Sequence, residues 1–493
     1  MNGNSLYSVA QVRELERAAI ERLRIPGDEL MRRSGSAAFA LLRARWPDAR
    51  RVVVLCGGGN NGGDGYVLAK LARAAGLDVA VLASNPPREG SEAARAAAEW
   101  CAGGGEVLPA GGDWPQADVR VDALFGIGLA RPPEGGAREA IERLNATARP
   151  VLALDVPSGL DADTGFAPGV VVRADATLTF IADKRGLHTG TAADFAGEVA
   201  VDALGLPDEI YANTLCDARL LDAGEIVARL PRRDRDGHKG RYGHVLAIGG
   251  DCGMGGAIRI AGEAALRTGA GLVSVATRAE HVIALNAARP ELMAHAVSGI
   301  QELQALLERA SVIALGPGLG QRAWGHALWH AAIAAGKPLV LDADGLNLLA
   351  RDTIALPAQT VLTPHPGEAA RLLGVDTAAV ARDRFAAARE LARRHHACVA
   401  LKGAGSLIAN PHGEVAVCPW GNPGMATGGM GDLLTGVIAA LFAQGFEAWD
   451  AARFGVALHA RAGDAAAREG EAGLVASDLF APLRRLRNDP GAK

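Results

Sequence analysis

The chain is 493 residues long, 49% hydrophobic and only 4% aromatic, with a formal net charge of −4. Its length suggests roughly two to four domains, and its Ala- and Gly-rich, aromatic-poor composition suits α/β layers rather than an aromatic-cored β sandwich. Balanced charge without a basic block argues against bulk nucleic-acid or membrane-surface binding, and six scattered cysteines with no C-x-x-C pair argue against a disulfide framework or zinc site.

The first twenty or so residues read polar and amphipathic rather than as a signal peptide. No apolar run reaches the roughly 18 residues that a bilayer span needs, so a cytoplasmic setting is expected. Val9 to Leu23 carries apolar residues at helical spacing. Arg51 to Leu55 is a β-branched run entering glycines and reads as a strand, and Tyr66 to Ala75 reads as the helix after it. Val79 to Leu82, Val119 to Leu124 and Val151 to Leu154 are further predicted strands among Ala-rich helical stretches. This alternation implies a mostly parallel sheet covered on both faces. It stops near Gly205, and Leu220 to Arg235 reads as a helical segment followed by charge. Alternation restarts at Gly243 to Ile248, with strands expected at 271–277, 311–315, 338–341, 360–363 and 398–401. The boundary is placed within 206–235, giving two α/β domains, 1–215 and 216–493, without an internal repeat.

In the first half, Leu55 to Gly65 (LCGGGNNGGDG) joins a strand to a helix. Gly57, Gly59 and Gly62 satisfy G-x-G-x-x-G, a weak dinucleotide signal by itself. The acid expected at the end of the next strand is missing, which disfavours a hydride-transferring dehydrogenase. Asn60, Asn61 and Asp64 among the glycines allow backbone binding of phosphate and oxygen ligation of a cation. Asp122 precedes a second glycine turn, and Asp155 and Ser158 follow the strand ending at Leu154. Ligands of parallel sheets bind at the carboxyl ends of strands, so these residues form a candidate cluster of hard oxygen ligands with one acid/base group. Singly, each Asp also reads as an ordinary turn residue.

Together with Pro26-Gly27, Leu30-Met31, Lys184 to Leu187 and Gly197 to Val199, these motifs resemble the epimerase domain of the bifunctional NAD(P)H-hydrate repair enzymes, over about residues 1–215. The resemblance implies a Rossmann-like three-layer αβα domain that interconverts the R and S epimers of hydrated NADH and NADPH. It implies that Asn60, Asn61, Gly62, Gly63 and Asp64 line the substrate, as do Gly126, Ile127, Gly128, Leu129, Ala130, Arg131 and Pro132. It further implies that Asn61, Asp122 and Ser158 hold K⁺ and that Asp155 touches substrate. Asp155 is the expected acid/base group, with Lys184 as its helper. Ile127 stands where the family usually has Thr.

In the second half, Leu246 to Ala257 is another strand running into a glycine loop, and Leu315 to Gly320 (LGPGLG) closes a further strand. Asp342 and Asp344 lie at the next strand end. Two prolines brace His365 in Thr363 to Glu368 (TPHPGE). Lys402, Gly403, Ala404, Gly405 and Ser406 offer backbone donors and one positive charge to a nucleotide phosphate, without the spacing of a P-loop. Most informative is Asn422 to Asp432 (NPGMATGGMGD), which runs into the apolar stretch LLTGVIAAL. A helix start there favours phosphate, and a carboxylate at that place suits a base for a substrate hydroxyl. The plainer alternative is a glycine turn with an Asp cap.

This half resembles a ribokinase-like αβα fold, and more closely the ADP/ATP-dependent dehydratase domain of the same repair enzymes, over about residues 220–485. The resemblance implies that Ala257, Gly318, His365 and Asp432 contact the hydrated nicotinamide, and that Lys402 to Ser406 and Gly431 contact ADP or ATP, with Mg²⁺ bridging its phosphates. Bacterial forms of the family point to ADP. A homo-oligomer is expected. Asp251 and Met254 stand where Ser and Tyr are commoner, so an extra acid is expected beside the dinucleotide. Two rivals differ in what they leave behind: a ribokinase-like small-molecule kinase fused to a nucleotide-binding domain would give a stable phosphorylated product, and a nucleotide-sensing scaffold would bind without turnover.

Overall fold

A computed structural model of the chain describes residues 3–129, 131–489 and 491. It divides into two compact units that meet between Ala218 and Arg219. No described helix is long and apolar enough to cross a membrane.

The first unit runs β1 (Ser5–Tyr7), α1 (Val9–Glu21), α2 (Gly27–Arg45), β2 (Arg51–Cys56), α3 (Asn60–Ala74), β3 (Asp78–Ala83), α4 (Glu92–Ala102), β4 (Val107–Pro109), β5 (Val119–Ala123), α5 (Gly135–Asn145), β6 (Val151–Leu154), β7 (Ala176–Phe180), β8 (Asp183–Lys184) and β9 (Glu198–Asp202). Seven of these strands form one sheet in the order β4-β3-β2-β5-β6-β7-β9, every neighbour parallel. Side chains alternate across a strand: Val52, Val54 and Cys56 join one apolar cluster with α1 to α4, while Val53 and Leu55 join another with α5. Both faces are therefore covered, which is why β2 is apolar at every central position. Each such side chain contributes about 1.5–3 kcal/mol when withdrawn from water. The order reverses between β2 and β5, the kind of switch point where α/β sheets bind ligands.

The structure begins α3 at Asn60, six residues before the helix read from sequence. The glycines that suggested a loop pack inside the helix's first turns. A Cβ on Gly62 would lie 1.9 Å from Gly57 O, and one on Gly63 would lie 2.5 Å from the Met31 side chain. β7 and β9, not anticipated from sequence, extend the sheet beyond β6.

The second unit runs β10 (Ala218–Leu220), α6 (Ala223–Arg229), β11 (His244–Ile248), α7 (Gly255–Thr268), β12 (Leu272–Thr277), α8 (Ala279–Ala288), β13 (Met293–Ala296), α9 (Ile300–Arg309), β14 (Val312–Leu315), α10 (Ala323–Ala334), β15 (Leu339–Leu341), α11 (Asp344–Leu349), β16 (Thr360–Leu362), α12 (Pro366–Leu373), α13 (Thr377–Arg382), α14 (Arg384–His395), β17 (Cys398–Leu401), β18 (Leu407–Ala409), β19 (Val415–Val417), α15 (Met430–Ala443), α16 (Ala448–Ala466) and α17 (Phe480–Asn488). Its sheet runs β13-β12-β11-β14-β15-β16-β17-β18-β19-β10. Only β18 is antiparallel to its neighbours. The helical segment read ahead of the charged stretch is α6: Asp222 caps it by accepting from Glu225 N at 2.8 Å, and Pro231 follows its end. Helix α15 is apolar on every side and buried from Leu433 to Phe442, as expected of a helix inside the core. A Cβ on its Gly436 would stand 2.0 Å from Ala261 O, so α15 and α7 pack backbone to backbone. That packing fixes the start of α15, where Asp432 sits.

Candidate active sites

In the first unit the ends of β2, β5 and β6 open into a cavity of about 400 Å³. Asn60, Asn61, Asp64, Gly126, Ile127, Gly128 and Asp155 line it, as the sequence reading anticipated. Gly62 and Gly63 do not; their packing roles are those above. Leu129 bonds back to Gly126 O at 3.3 Å and leads to Arg131 and Pro132, both exposed beyond the lining. Ala130 lies outside the described residues.

Asp155 is held by a lysine and by a backbone amide. Lys184 Nζ, 1% exposed, donates to its Oδ1 at 2.6 Å and to Phe180 O at 2.7 Å. Ile127 N–H donates to Oδ2 at 3.1 Å. A Cβ on Gly126 would stand 2.6 Å from the same oxygen, so only glycine allows this approach. The Ile127 bond comes from the backbone, which a change of side chain leaves in place.

Asp155 has φ +66°, and Ile181 and Leu204, also on the cavity wall, have φ +67° and +53°. Such values are uncommon outside glycine and a true outlier for a β-branched residue. Strain of this kind gathers at functional sites.

Asp122 and Ser158 lie buried behind the cavity. Ser158 donates through Oγ to Asp122 Oδ1 at 2.6 Å and through N to Oδ2 at 2.8 Å, and its Oγ accepts from Phe125 N at 2.9 Å. Burial pushes the Asp122 carboxyl up to about 6 despite those bonds. Asn61 is 8% exposed, yet neither side-chain atom has a hydrogen-bond partner among the described residues. A buried amide left unsatisfied costs about 1–3 kcal/mol. An orphaned amide oxygen, a buried carboxylate and a hydroxyl fit a hard cation.

Sequence reasoning missed Glu16. It lies on α1, half-buried, and lines the same cavity. Burial and then Asp155 raise its pKa. Burial, then Asp155 and Glu16, raise that of Asp64 well above the carboxylate range. In sequence Glu16 is one polar residue on an amphipathic helix, and only the fold brings it to the cavity.

In the second unit Asp432 occupies the first turn of α15, after Gly429 at φ +91°. Burial, then Asp342, pushes its carboxyl up to about 6. Asp342, 1% exposed at the end of β15, is the buried centre. Lys402 Nζ donates to its Oδ1 at 2.8 Å, and Thr435 Oγ1 donates to its Oδ2 at 2.8 Å. Burial opposes the charge on Asp342, but Lys402, Thr435 and Thr363 together hold it below the usual range. A Cβ on Gly431 would lie 3.3 Å from both Asp342 Oδ2 and Lys402 Nζ. Gly431, Asp342, Lys402 and Asp432 thus share one corner. Ala343, between Asp342 and Asp344, has φ +48°.

The Lys402 ammonium, read from sequence as a charge for phosphate, is therefore already paired. Ser406 Oγ turns inward to Gly403 O at 2.9 Å, and Arg384 donates to Leu401 O and Lys402 O beneath the loop. His365 caps α12: its Nδ1 accepts from Gly367 N at 3.0 Å, and its N–H donates to Glu368 Oε2 at 2.8 Å. With Nδ1 an acceptor, the proton belongs on Nε2. Gly318 and Ala257 are neighbours, because Gly318 O accepts from Asp251 N at 2.6 Å and joins the two glycine loops. Asp251 is buried with Arg278 Nε at 2.8 Å, so its charge is matched.

Lys402→Ala is expected to cost about 3–5 kcal/mol of stability by leaving Asp342 buried and unpaired. Adding Asp342→Asn should recover part of that loss. Additive losses in denaturant melts would show that the two groups are not coupled.

A parallel-sheet unit with a carboxylate–lysine pair beyond the end of β6, and a mixed-sheet unit with an acid opening a core helix, together define a two-site α/β enzyme. Residues 27–186 match the family described as YjeF-related protein N-terminus, and residues 245–485 match NAD(P)H-hydrate dehydratase. The chain is 48% identical over 493 residues to the bifunctional NAD(P)H-hydrate repair enzyme Nnr of Coxiella burnetii, covering 98% of this chain and 99% of that one. It is 44% identical to the Escherichia coli enzyme of the same name, covering 98% and 94%. Among solved structures, the ADP/ATP-dependent NAD(P)H-hydrate dehydratase from Bacillus subtilis aligns at 29% identity and a TM-score of 0.51, covering 55% of this chain and 98% of that one. A ribokinase-like superfamily protein from Enterococcus faecalis aligns at 30% and 0.51, covering 56% and 96%. The chain belongs to the family of bifunctional NAD(P)H-hydrate repair enzymes. Its two activities are NAD(P)H-hydrate epimerase and ADP/ATP-dependent NAD(P)H-hydrate dehydratase.

Proposed function

We propose that the epimerase works in the β2–β5–β6 cavity and the dehydratase at the start of α15, with Asp155 and Asp432 as their acid/base groups. The observation that carries this is Asp432: a half-buried carboxyl raised to about 6, at a helix start, beside a matched Asp342–Lys402 pair. Such a group is ionised at neutral pH yet basic enough to take a hydroxyl proton.

Asp432 accepts that proton as the hydrate's hydroxyl oxygen bonds to the terminal phosphorus of the nucleotide, whose bond to the leaving nucleotide breaks. Lys402, Gly403, Ala404, Gly405, Ser406 and Gly431 contact the nucleotide, and the α15 start stabilises the charge on the transferring group. Hydroxide leaves a reduced pyridine ring poorly, whereas phosphate leaves readily. The ring nitrogen's lone pair expels it, a proton leaves the adjacent carbon, and the double bond of NADH or NADPH returns. Ala257, Gly318 and His365 form the nicotinamide side of this site. Mg²⁺ would accompany the nucleotide and neutralise part of its phosphate charge, in keeping with the Bacillus subtilis relative co-crystallised with ATP/Mg²⁺, and ADP is the preferred donor.

At the first site, epimerisation needs a hydroxyl removed from a carbon beside nitrogen and returned on the other face. Asp155, fixed by Lys184, exchanges the proton. Asp64 and Glu16, pushed toward their protonated forms, are suited to protonate the departing oxygen, since carboxyls with divergent environments divide acid and base roles. Asn61, Asp122 and Ser158 would hold K⁺, whose positive charge would offset negative charge developing in the cavity. A homo-oligomer in a cytoplasmic setting completes the reading, and light scattering reads the assembly directly.

The test is to incubate the protein with mixed R and S hydrates plus ADP or ATP. Full recovery of reduced-nicotinamide absorbance is expected with nucleotide and none without it. Accumulation of a stable phosphorylated product would overturn the elimination step.

A further inference from the structure

We propose that His326, His330 and Asp352 form a binding site for a late first-row divalent metal ion of the Zn²⁺ class, separate from both active sites. His326 and His330 stand at i and i+4 on α10, one turn apart on a shared face, with ring centroids 4.6 Å apart. Asp352 lies just beyond α11. Its Oδ2 is 2.6 Å from His326 Nε2 and 3.6 Å from His330 Nε2. One ligand atom from each residue falls within 4.8 Å of the others.

With metal–ligand bonds of about 2.0–2.2 Å, tetrahedral neighbours stand roughly 3.3 Å apart. The His330–Asp352 spacing is close to that already. The His326–Asp352 contact has to open by less than about 1 Å, which a carboxylate 38% exposed can do by side-chain rotation. Two imidazoles and a carboxylate suit Zn²⁺, Ni²⁺ or Cu²⁺ rather than Mg²⁺ or Ca²⁺. The partly exposed positions leave room for water to complete the coordination.

The platform is packed into the core. Trp329, fully buried between the two histidines in sequence, donates Nε1–H to Gly345 O at 3.1 Å. Its ring stacks near His326 at 6.2 Å and meets the His330 edge at 4.9 Å. Helix α10 leaves the Gly316–Gly320 loop and α11 leaves Asp342, so a bound ion would clip together two elements that carry dehydratase loops. The plainer alternative is a His326–Asp352 hydrogen bond alone, which has no need of His330.

The experiment is calorimetric titration of the full chain, stripped with chelator, with ZnCl₂ in excess Mg²⁺. One equivalent of Zn²⁺ is expected to bind. His326→Ala and His330→Ala should each weaken it by more than the roughly 10–100-fold that losing an outer-shell partner costs, with basal dehydratase rate unchanged. Zn²⁺ should raise the wild-type melting midpoint by about 4 °C or more and leave the variants unmoved. Asp352→Asn, judged by far-UV circular dichroism to be folded, gives a variant that keeps both imidazoles and should bind more weakly. Absence of saturable Zn²⁺ binding overturns the site, and so does binding that His330→Ala leaves intact.

Discussion

Asp432→Asn is expected to abolish dehydration while leaving nucleotide bound. The amide keeps the size and seat of the side chain in the first turn of α15 but cannot take a proton. Losing a general base costs at least about a hundredfold in turnover. The pH profile supplies the second arm. Burial and the neighbouring Asp342 raise the Asp432 carboxyl to about 6. As a base it must be ionised, so the wild-type rate should fall about tenfold per unit as pH drops below about 6. The residual rate of the variant should lack this limb. Single-turnover assays with S hydrate at several pH values, with nucleotide affinity measured alongside, check both. Near-wild-type turnover in a folded variant would remove Asp432 from its role.

Asp155→Asn is expected to halt use of the R hydrate beyond its slow spontaneous epimerisation, with S-hydrate dehydration intact. Both oxygens of Asp155 accept, one from Lys184 Nζ and the other from Ile127 N–H. An amide places its own donor against one of them, so the change removes the proton acceptor and sets donor against donor. At least about a hundredfold loss of epimerisation follows. Replacing K⁺ with a large organic cation should give a milder version, if Asn61, Asp122 and Ser158 hold that ion. Chromatography of each epimer separately, in both salts, reads the result. Loss of S-hydrate dehydration in Asp155→Asn would mean that the two units share one site.

Much of this was legible in the chain because strands buried on both faces write themselves as unbroken apolar runs. Val52 to Leu55 and Val312 to Leu315 are such runs, and each leads into a glycine loop that marks the ligand end of its sheet. Strands β18 and β19 were not read: each has three residues and stands among turn-forming Gly, Asn and Pro. The first turn of α3 misled for a physical reason, since glycines packed against Gly57 and Met31 look the same in sequence as glycines in a loop. Pairings across long separations were hidden altogether. Lys402 meets Asp342 sixty residues away, and Glu16 reaches the Asp155 cavity only when α1 is laid over the sheet. Asp342 was visible as an acid at a strand end, but its place as the buried partner of Lys402 needed the fold.

The positive backbone angles at Asp155, Ile181 and Leu204 carry a consequence for how the epimerase can wear and how it can be improved. Each holds a conformation worth on the order of 1–3 kcal/mol against itself, enforced only by the surrounding sheet and helices. The wall of that cavity is therefore held by packing rather than by local backbone preference. On the proposed assignment, epimerase competence depends on the integrity of the whole unit. Glycine at position 181 or 204 would relax the backbone while stripping the wall of a side chain, so sturdiness there is gained at the expense of the cavity's shape. Engineering for heat resistance has freer ground elsewhere in the unit.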